Sequence, residues 1–352
     1  MLGASCVVVE NLYVHFPFCR TKCSYCALYS RTGVSPADRD AYVRRLAREI
    51  RTRDERRETL RTAYFGGGSP ALCDLSLLAP VLRPLCGETT EFTVELHPLD
   101  VTEAKLGELR SLGVNRISMG VQSLDDATLA AMGRGYTVDE AERAFALVKK
   151  HFDNAGIDLI VGYPGDEVGE KKAKGKGEGE EWNIKRLSDW GLRHCSVYAL
   201  QNERGLKNVP DDDAVMDRLR HVAICLEEMG LERYEISNYA VPGFECRHNL
   251  AVWRGEDYLG IGEGACGRVG LKRTKGLKSG YSESAVEPEE DAKERTIFRL
   301  RTRDGLDASR FPEWGQTLQK HVQEGLLTQS GSIYRLTERG MEVCDTILTD
   351  LV

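Results

Sequence analysis

The chain has 352 residues, 41% of them apolar, and a net charge of −7. That length and apolar content suffice for one large domain with a smaller one, and they argue against global disorder. The acidic balance argues against a general nucleic-acid binder, and no apolar run is long enough to span a bilayer.

The N-terminal stretch MLGASCVVVENLY lacks the basic start and long apolar run of a signal peptide, and it is not Arg-rich like a transit peptide. A soluble protein is expected, cytoplasmic or organellar (mitochondrial), and not an integral membrane protein. Apolar, β-rich runs then alternate with helical patterns to about residue 200. Strands are predicted at 12–16, 63–67, 92–96, 116–121, 157–162 and 195–200. A helix is predicted to begin at Ser35-Pro36-Ala37-Asp38, with Ser35 as its cap and Pro36 in its first turn. Tyr42, Leu46 and Ile50 recur every four residues as its buried stripe. Further helices are predicted at 74–85, 102–111, 125–131, 138–150 and 182–190.

Strand–helix units in series imply an α/β fold with a parallel sheet and right-handed crossovers, a partial (β/α)6 version of the eight-unit barrel. The segment GDEVGEKKAKGKGEGEE (165–181) cannot bury a core and reads as a solvated insertion. After residue 201 the alternation stops. A Gly- and aromatic-rich stretch (234–270) and a charged region (272–294) lead to two helices, a hairpin around LLTQSGSIYRLT and a final helix. The expected division is a core barrel (1–205), a barrel extension (206–285) and a small helical winged-helix-like domain (286–352).

Eleven cysteines, an odd number scattered through a long chain, do not form a secreted disulfide framework. Three of them, Cys19, Cys23 and Cys26, fall within eight positions just after the first strand. Thiolates bind soft metals and iron–sulfur cubanes. Three thiolates on a four-iron cluster leave one iron open to an exogenous ligand. A zinc site completed by His15 or a distant residue, or chance clustering, are the alternatives; zinc sites usually come as two CxxC-like pairs, and no second pair exists. In YFGGGSP (64–70) three glycines follow the second strand, where backbone can approach a ligand closely. Glu95, Gln122, Asp158 and Tyr198 lie on or just past later strands, and α/β barrels collect functional residues at the C-terminal ends of their strands.

The CxxxCxxC arrangement resembles that of the radical S-adenosylmethionine (SAM) superfamily, and YFGGGSP resembles its GGGTP-type motif, with Ser69 replacing Thr. GVNRISMGVQSLDDATLAAMGRGY (113–136), IDLIVGYPGD (157–166) and YEISNYAVPGFECRHNLAVWRGEDYLGIGEGA (234–265) are similar to the oxygen-independent coproporphyrinogen III oxidase group, the last stretch to its haem-chaperone (HemW) branch. The resemblance implies a [4Fe–4S] cluster on Cys19, Cys23 and Cys26, with SAM chelating the open iron; reductive cleavage of SAM in that superfamily gives a 5′-deoxyadenosyl radical. It implies SAM contacts at Tyr13, Tyr25, Gly67, Gly68, Ser69, Glu95, Gln122, Arg134 and Asp158. It also implies binding of haem and its delivery to acceptor proteins, respiratory enzymes among them.

The oxidase carries a further cysteine two positions past the third cluster cysteine. Leu28 stands there, so oxidase activity is not expected; the chaperone branch usually has Phe. The branch's HNxxYW motif reads His248-Asn249-Leu250-Ala251-Val252-Trp253, with Val252 for Tyr. His248 is the leading candidate for an axial haem ligand, with Cys246 as a competing thiolate. The plainer reading of His248 is a hydrogen-bonded loop histidine. The family's GAHS reads Gly264-Ala265-Cys266-Gly267. The rival readings are decarboxylation of coproporphyrinogen III, radical chemistry on another tetrapyrrole or small molecule, and a scaffold that keeps the cluster for stability alone.

Overall fold

The structure is a computed structural model that describes residues 9–53, 59–165 and 184–352. The N-terminal stretch read for targeting signals lies largely outside them, as does the segment 165–181 beyond Gly165.

The first half of the chain is the expected alternation. Strands β1 (Asn11–Phe16), β2 (Leu60–Gly67), β3 (Cys86–Leu96), β4 (Arg116–Gln122), β5 (Asn154–Val161) and β6 (His194–Ala199) pair in chain order, all parallel. Alternate residues face opposite sides. Leu12, Val14 and Phe16 of β1, Phe65 of β2 and Ile117 and Met119 of β4 join one continuous apolar core beneath the outer helices. The other face is polar: Asn11, Thr62, Glu91 and Arg116 form a floor, with Tyr13, Tyr64, Ser118 and Ser196 above them, then His15, Glu95 and Asp158 towards the C-terminal ends.

Helices α1 (Pro36–Arg53), α2 (Ala79–Leu82), α3 (Glu103–Leu112), α4 (Asp126–Met132) and α5 (Val138–His151) make the outer layer. Ser35 caps α1 by accepting the Asp38 N–H at 3.2 Å. Thr137 and Glu140 form a reciprocal capping box on α5, which satisfies donors the helix cannot pair internally. The predicted helix at 74–85 does not form as one piece. It is a 3₁₀ turn, Leu75–Leu78, followed by the single turn of α2. Pro80 and Pro84 lack the backbone donors that a continuous helix needs, although Ala79 and Arg83 before them keep helical angles. The described part of the helix predicted at 182–190 is also 3₁₀, Ile184–Trp190. Its buried residues, Ile184, Leu187 and Trp190, recur every three, which matches a three-residue turn.

Beyond residue 205 the chain adds strands to both edges of the sheet, giving twelve among the described residues. Helix α6 (Asp212–Glu228) leads to β7 (Glu232–Arg233) and β8 (Asn238–Ala240); β8 runs antiparallel beside β6, and β7 antiparallel beside β8. Helix α7 (Arg247–Trp253) leads to β9 (Tyr258–Ile261), parallel to β1. An antiparallel meander of β10 (Cys266–Val269), β11 (Lys272–Leu277) and β12 (Gly280–Ala285) follows. Much of the charged region is thus a hairpin.

The C-terminal residues form a second core around Leu300, Trp314, Leu318 and Ile347. Its elements are α8 (Pro288–Phe298), β13 (Leu306–Asp307), α9 (Gly315–Gln323), the hairpin β14 (Leu327–Ser330) and β15 (Ile333–Leu336), α10 (Glu338–Glu342) and α11 (Cys344–Thr349). The final helix is therefore two short ones. α10 sits tight on the hairpin, since a Cβ on Gly340 would lie 1.9 Å from the Leu326 carbonyl oxygen.

Candidate functional site

The three motif cysteines leave β1 on a loop fastened from several directions. Cys19 N–H donates to the Arg31 carbonyl (2.9 Å), and Ser24 N–H to that of Met132 at the end of α4 (3.2 Å). Ser24 Oγ and the Tyr163 hydroxyl beyond β5 lie 2.8 Å apart. His15 Nε2 donates to the Tyr29 carbonyl (3.0 Å), so its Nδ1 accepts the Tyr13 hydroxyl (2.9 Å). Both ring nitrogens are engaged, which removes His15 as a fourth zinc ligand. Among the described residues no three His, Cys, Asp or Glu side chains converge closely enough for one metal ion. The thiols of Cys19, Cys23 and Cys26 are free. Cations stand beside them: Arg134 Nη1 lies 3.4 Å from Cys23 Sγ, and Lys22 Nζ 4.0 Å from Cys26 Sγ. Unpaired thiols beside fixed positive charge fit an anionic thiolate-bound iron–sulfur cluster.

The glycine run at the end of β2 packs against this loop with no room for side chains. A Cβ on Gly66 would lie 2.8 Å from the Glu95 carboxyl group. One on Gly68 would lie 2.4 Å from the Phe18 carbonyl oxygen and 2.9 Å from Cys19 Sγ. Gly67 combines close contact with a φ of +108°. The run is a bare backbone cradle of the kind a ligand's polar groups can approach. Ser69 is buried, and its hydroxyl donates to Asp100, which also takes the Arg20 Nε–H at 2.6 Å.

Glu95 ends β3 facing inward and accepts the Tyr64 hydroxyl (2.8 Å) and Gly67 N–H (3.0 Å). Burial, and then the nearby Asp158 carboxylate, push its pKa up to about 7. Asp158 accepts the Ser118 hydroxyl at 3.0 Å; burial raises its pKa too. Gln122 closes β4 at a φ of +74°, beside a register irregularity between β4 and β5. A non-glycine residue in that region is strained, and such strain collects at functional sites. Arg134 spans the gap between β4 and the cluster loop, donating to the Gly120 carbonyl through Nη2 (2.6 Å) and to Tyr136 through Nε (2.9 Å).

Cys19, Cys23, Cys26, Tyr25, Gly67, Gly68, Ser69, Glu95, Gln122, Arg134 and Asp158 all line one cavity of about 1460 Å³. Tyr13 does not line it; it stands one layer lower, touching the site through His15. Several lining residues escaped the sequence reading. His97 and Asp100 follow β3 in the stretch HPLD, a turn signal that could have flagged them. His97 is held neutral, its pKa lowered to about 3 by burial and then by Arg134 and Arg20. Met216, Leu219, Ala223 and Ile224 of α6 and Met341, Val343 and Cys344 from the C-terminal unit extend the wall, and no local motif marks them.

His248 requires a correction. It lies on the barrel floor, only 5% exposed, and is not on the cavity wall. Thr62 Oγ donates to Asn11 Oδ1 (2.9 Å), so its contact with His248 Nδ1 (2.7 Å) is donated by the imidazole. Its N–H and that of Arg247, both in the first turn of α7, are capped by Glu91 at 3.1 and 3.0 Å. Burial, and then Arg116, lower its pKa to about 3. As placed, His248 offers no open face to a macrocycle. Cys246 is fully buried, its thiol pushed up to about 12 and donating towards Glu91 at 3.7 Å, which is unlike a thiolate ligand. Trp253 meets Phe298 of α8 edge to face and lies under the Arg301 guanidinium. Cys266 is exposed on β10, outside the cavity.

Comparison with known proteins places this geometry. The model of the radical SAM superfamily matches residues 13–173, and that of the HemN C-terminal domain matches 286–343. The heme chaperone HemW of Escherichia coli is 30% identical, over 96% of this chain and 97% of its own. The mouse protein called radical S-adenosyl methionine domain-containing protein 1, mitochondrial, is 31% identical over 91% of this chain and 73% of its own. The solved structure of coproporphyrinogen III oxidase (HemN) from E. coli superposes with a TM-score of 0.80 at 21% identity, over 97% of this chain and 89% of that one. That likeness is one of fold.

Proposed function

The chain belongs to the radical SAM superfamily, in the family of the HemW proteins, and on that premise we propose that it binds haem beside its [4Fe–4S] cluster and SAM and passes the haem to acceptor proteins. Cys19, Cys23 and Cys26 hold the cluster in this reading. Glu95, Asp158, Gln122, Arg134, Tyr25 and the Gly67–Ser69 cradle hold SAM, with Tyr13 supporting from below. With both bound, the superfamily's chemistry is reductive cleavage of a carbon–sulfur bond of SAM.

The observation that carries the haem reading is the shape of the cavity. It runs past the SAM residues onto a mixed wall, where Met216, Leu219, Ala223 and Ile224 of α6 and Met341 and Val343 of the C-terminal unit stand among charged residues, with Arg220 and Glu342 paired at 2.6 and 2.7 Å. Ile224 is 57% exposed and Val343 39%. Apolar side chains left open in a cleft suit a flat hydrophobic ligand. Leu28, 56% exposed at the same mouth, occupies the position of the oxidase's extra cysteine. The acceptor in this reading is a haem protein such as a respiratory enzyme. The compartment is the cytoplasm or, as in the name of the mouse relative, the mitochondrion. No helix among the described residues is long and apolar enough to cross a membrane.

The test is an anaerobic haem titration of the cluster-reconstituted protein, followed by Soret absorbance and gel filtration. A saturable, roughly stoichiometric band is expected. Covering the exposed part of Ile224 is worth about 1–1.5 kcal/mol, and an aspartate there adds the cost of desolvating a charge, so Ile224→Asp should weaken haem binding at least about tenfold. No band in the wild type would defeat the haem reading, and unchanged affinity in Ile224→Asp would remove the cavity as its seat.

A further inference from the structure

The floor of the barrel and the SAM pocket are joined by one imidazole. The His248 ring stacks on Tyr64 at 5.1 Å between centroids and 30° between planes, and lies 6.4 Å from the Tyr13 ring at 27°. The two tyrosines are themselves 6.1 Å apart. From this group two directed hydrogen-bond chains rise. Tyr64 donates to Glu95, which accepts Gly67 N–H in the glycine cradle. Tyr13 donates to His15, which donates to the Tyr29 carbonyl in the cluster loop. The stack is held from below, because His248 Nδ1–H donates to Thr62, Thr62 donates to Asn11, and Asn11 Nδ2 donates to the Asp257 carbonyl at 3.0 Å.

We propose that His248 is a positioning residue for the SAM pocket, supporting Tyr64 and Tyr13 from the floor so that Glu95, the glycine cradle and the cluster loop are held in register. Stacked rings resist sliding and tilting, and a hydroxyl's donor direction depends on where its ring sits. Removing the imidazole frees both phenols to drop towards the vacated space. That loosens Glu95 and the Tyr29 carbonyl at once, although His248 touches neither.

This inference rests on the SAM part of the proposed function and is independent of its haem part. The experiment measures SAM affinity of the cluster-reconstituted full chain by equilibrium dialysis, together with the SAM-induced change in the electron paramagnetic resonance signal of the reduced cluster. His248→Ala should weaken SAM binding about tenfold and reduce the spectral change, and His248→Phe, which keeps a stacking ring, should restore most of both. Tyr64→Phe keeps the stack and loses the bond to Glu95. It should weaken SAM binding in the same direction, and adding His248→Ala to it should cost less than His248→Ala costs by itself, because the Tyr64 path is shared and only the Tyr13 path remains to be lost. If His248→Ala does not fold, Tyr64→Phe with and without His248→Phe carries the test, and His248→Phe alone should keep most of the wild-type SAM affinity. Wild-type SAM affinity and spectrum in His248→Ala, or additive losses in the double variant, would overturn the inference. So would loss of the Soret band in both His248 variants with SAM binding untouched, the pattern of a direct haem ligand. Wild-type protein that assembles its cluster but takes up no SAM would instead defeat the underlying SAM reading.

Discussion

Glu95 shows how a single side chain is tuned by its place. It is an ordinary glutamate in sequence, yet burial and Asp158 hold its pKa near 7. The folded state therefore keeps a proton between about pH 4.5 and 7 that the unfolded chain has lost, so Glu95 makes stability fall as pH rises through that window. Glu95→Gln should flatten this fall. Urea midpoints of the SAM-free protein at pH 5 and pH 7.5 test it: the wild-type midpoint should drop more between the two than that of the variant, and equal drops would refute the assignment. Gln122, with its positive φ, and Gly67, confined by both φ and the His15 ring, are local costs at the same site. Their shared location is what a binding function leaves on a backbone.

At the scale of elements, local chemistry accounts for most starts and stops. Thr137 and Glu140 close the first turn of α5, and Gly113 and Gly133 end α3 and α4 in left-handed geometry. Thr137→Ala should destabilise the fold by about 1 kcal/mol, with no effect on iron content. Chemical denaturation and iron analysis check both halves. Where the predicted elements differ from the observed ones, a stated force prevails. Two prolines divide 74–85, and three-residue packing of Ile184, Leu187 and Trp190 selects a 3₁₀ turn. The charged region after 271 becomes a β-hairpin beside the adjacent β10, and β10 ties it through β9 to the barrel sheet, a placement that composition does not reveal.

At the scale of the whole molecule, two cores share one cavity. The C-terminal unit supplies Met341, Val343 and Cys344 to a wall that faces the barrel, and it is joined to the barrel through Trp253, Phe298 and Arg301. Trp253→Ala should loosen that wall. Haem affinity should fall several-fold while iron content and SAM affinity stay at wild-type levels, as read by Soret titration and dialysis. A parallel loss of SAM binding would show that the joint also supports the barrel mouth.

The sequence by itself determined the strand–helix order of the barrel, the three clustered thiols and the glycine cradle. Each of these is written in local spacing: alternation within a strand, caps at helix ends, cysteines three and two residues apart. The membership of the cavity wall was legible in part, because residues at strand ends must converge in a parallel barrel. Only the tertiary structure decided what lies opposite them. Residues of the C-terminal helices reach the cavity from more than a hundred positions beyond β6, and α6 folds back onto it, and no periodicity carries that information. The same holds for His248. Its neighbours in sequence mark it as a motif histidine, but its ring is placed by Thr62, Tyr64 and Tyr13, which come from strands nearly two hundred residues and more away. Burial and partners, which fix what a side chain can do, are properties of the folded neighbourhood and not of the spacing along the chain.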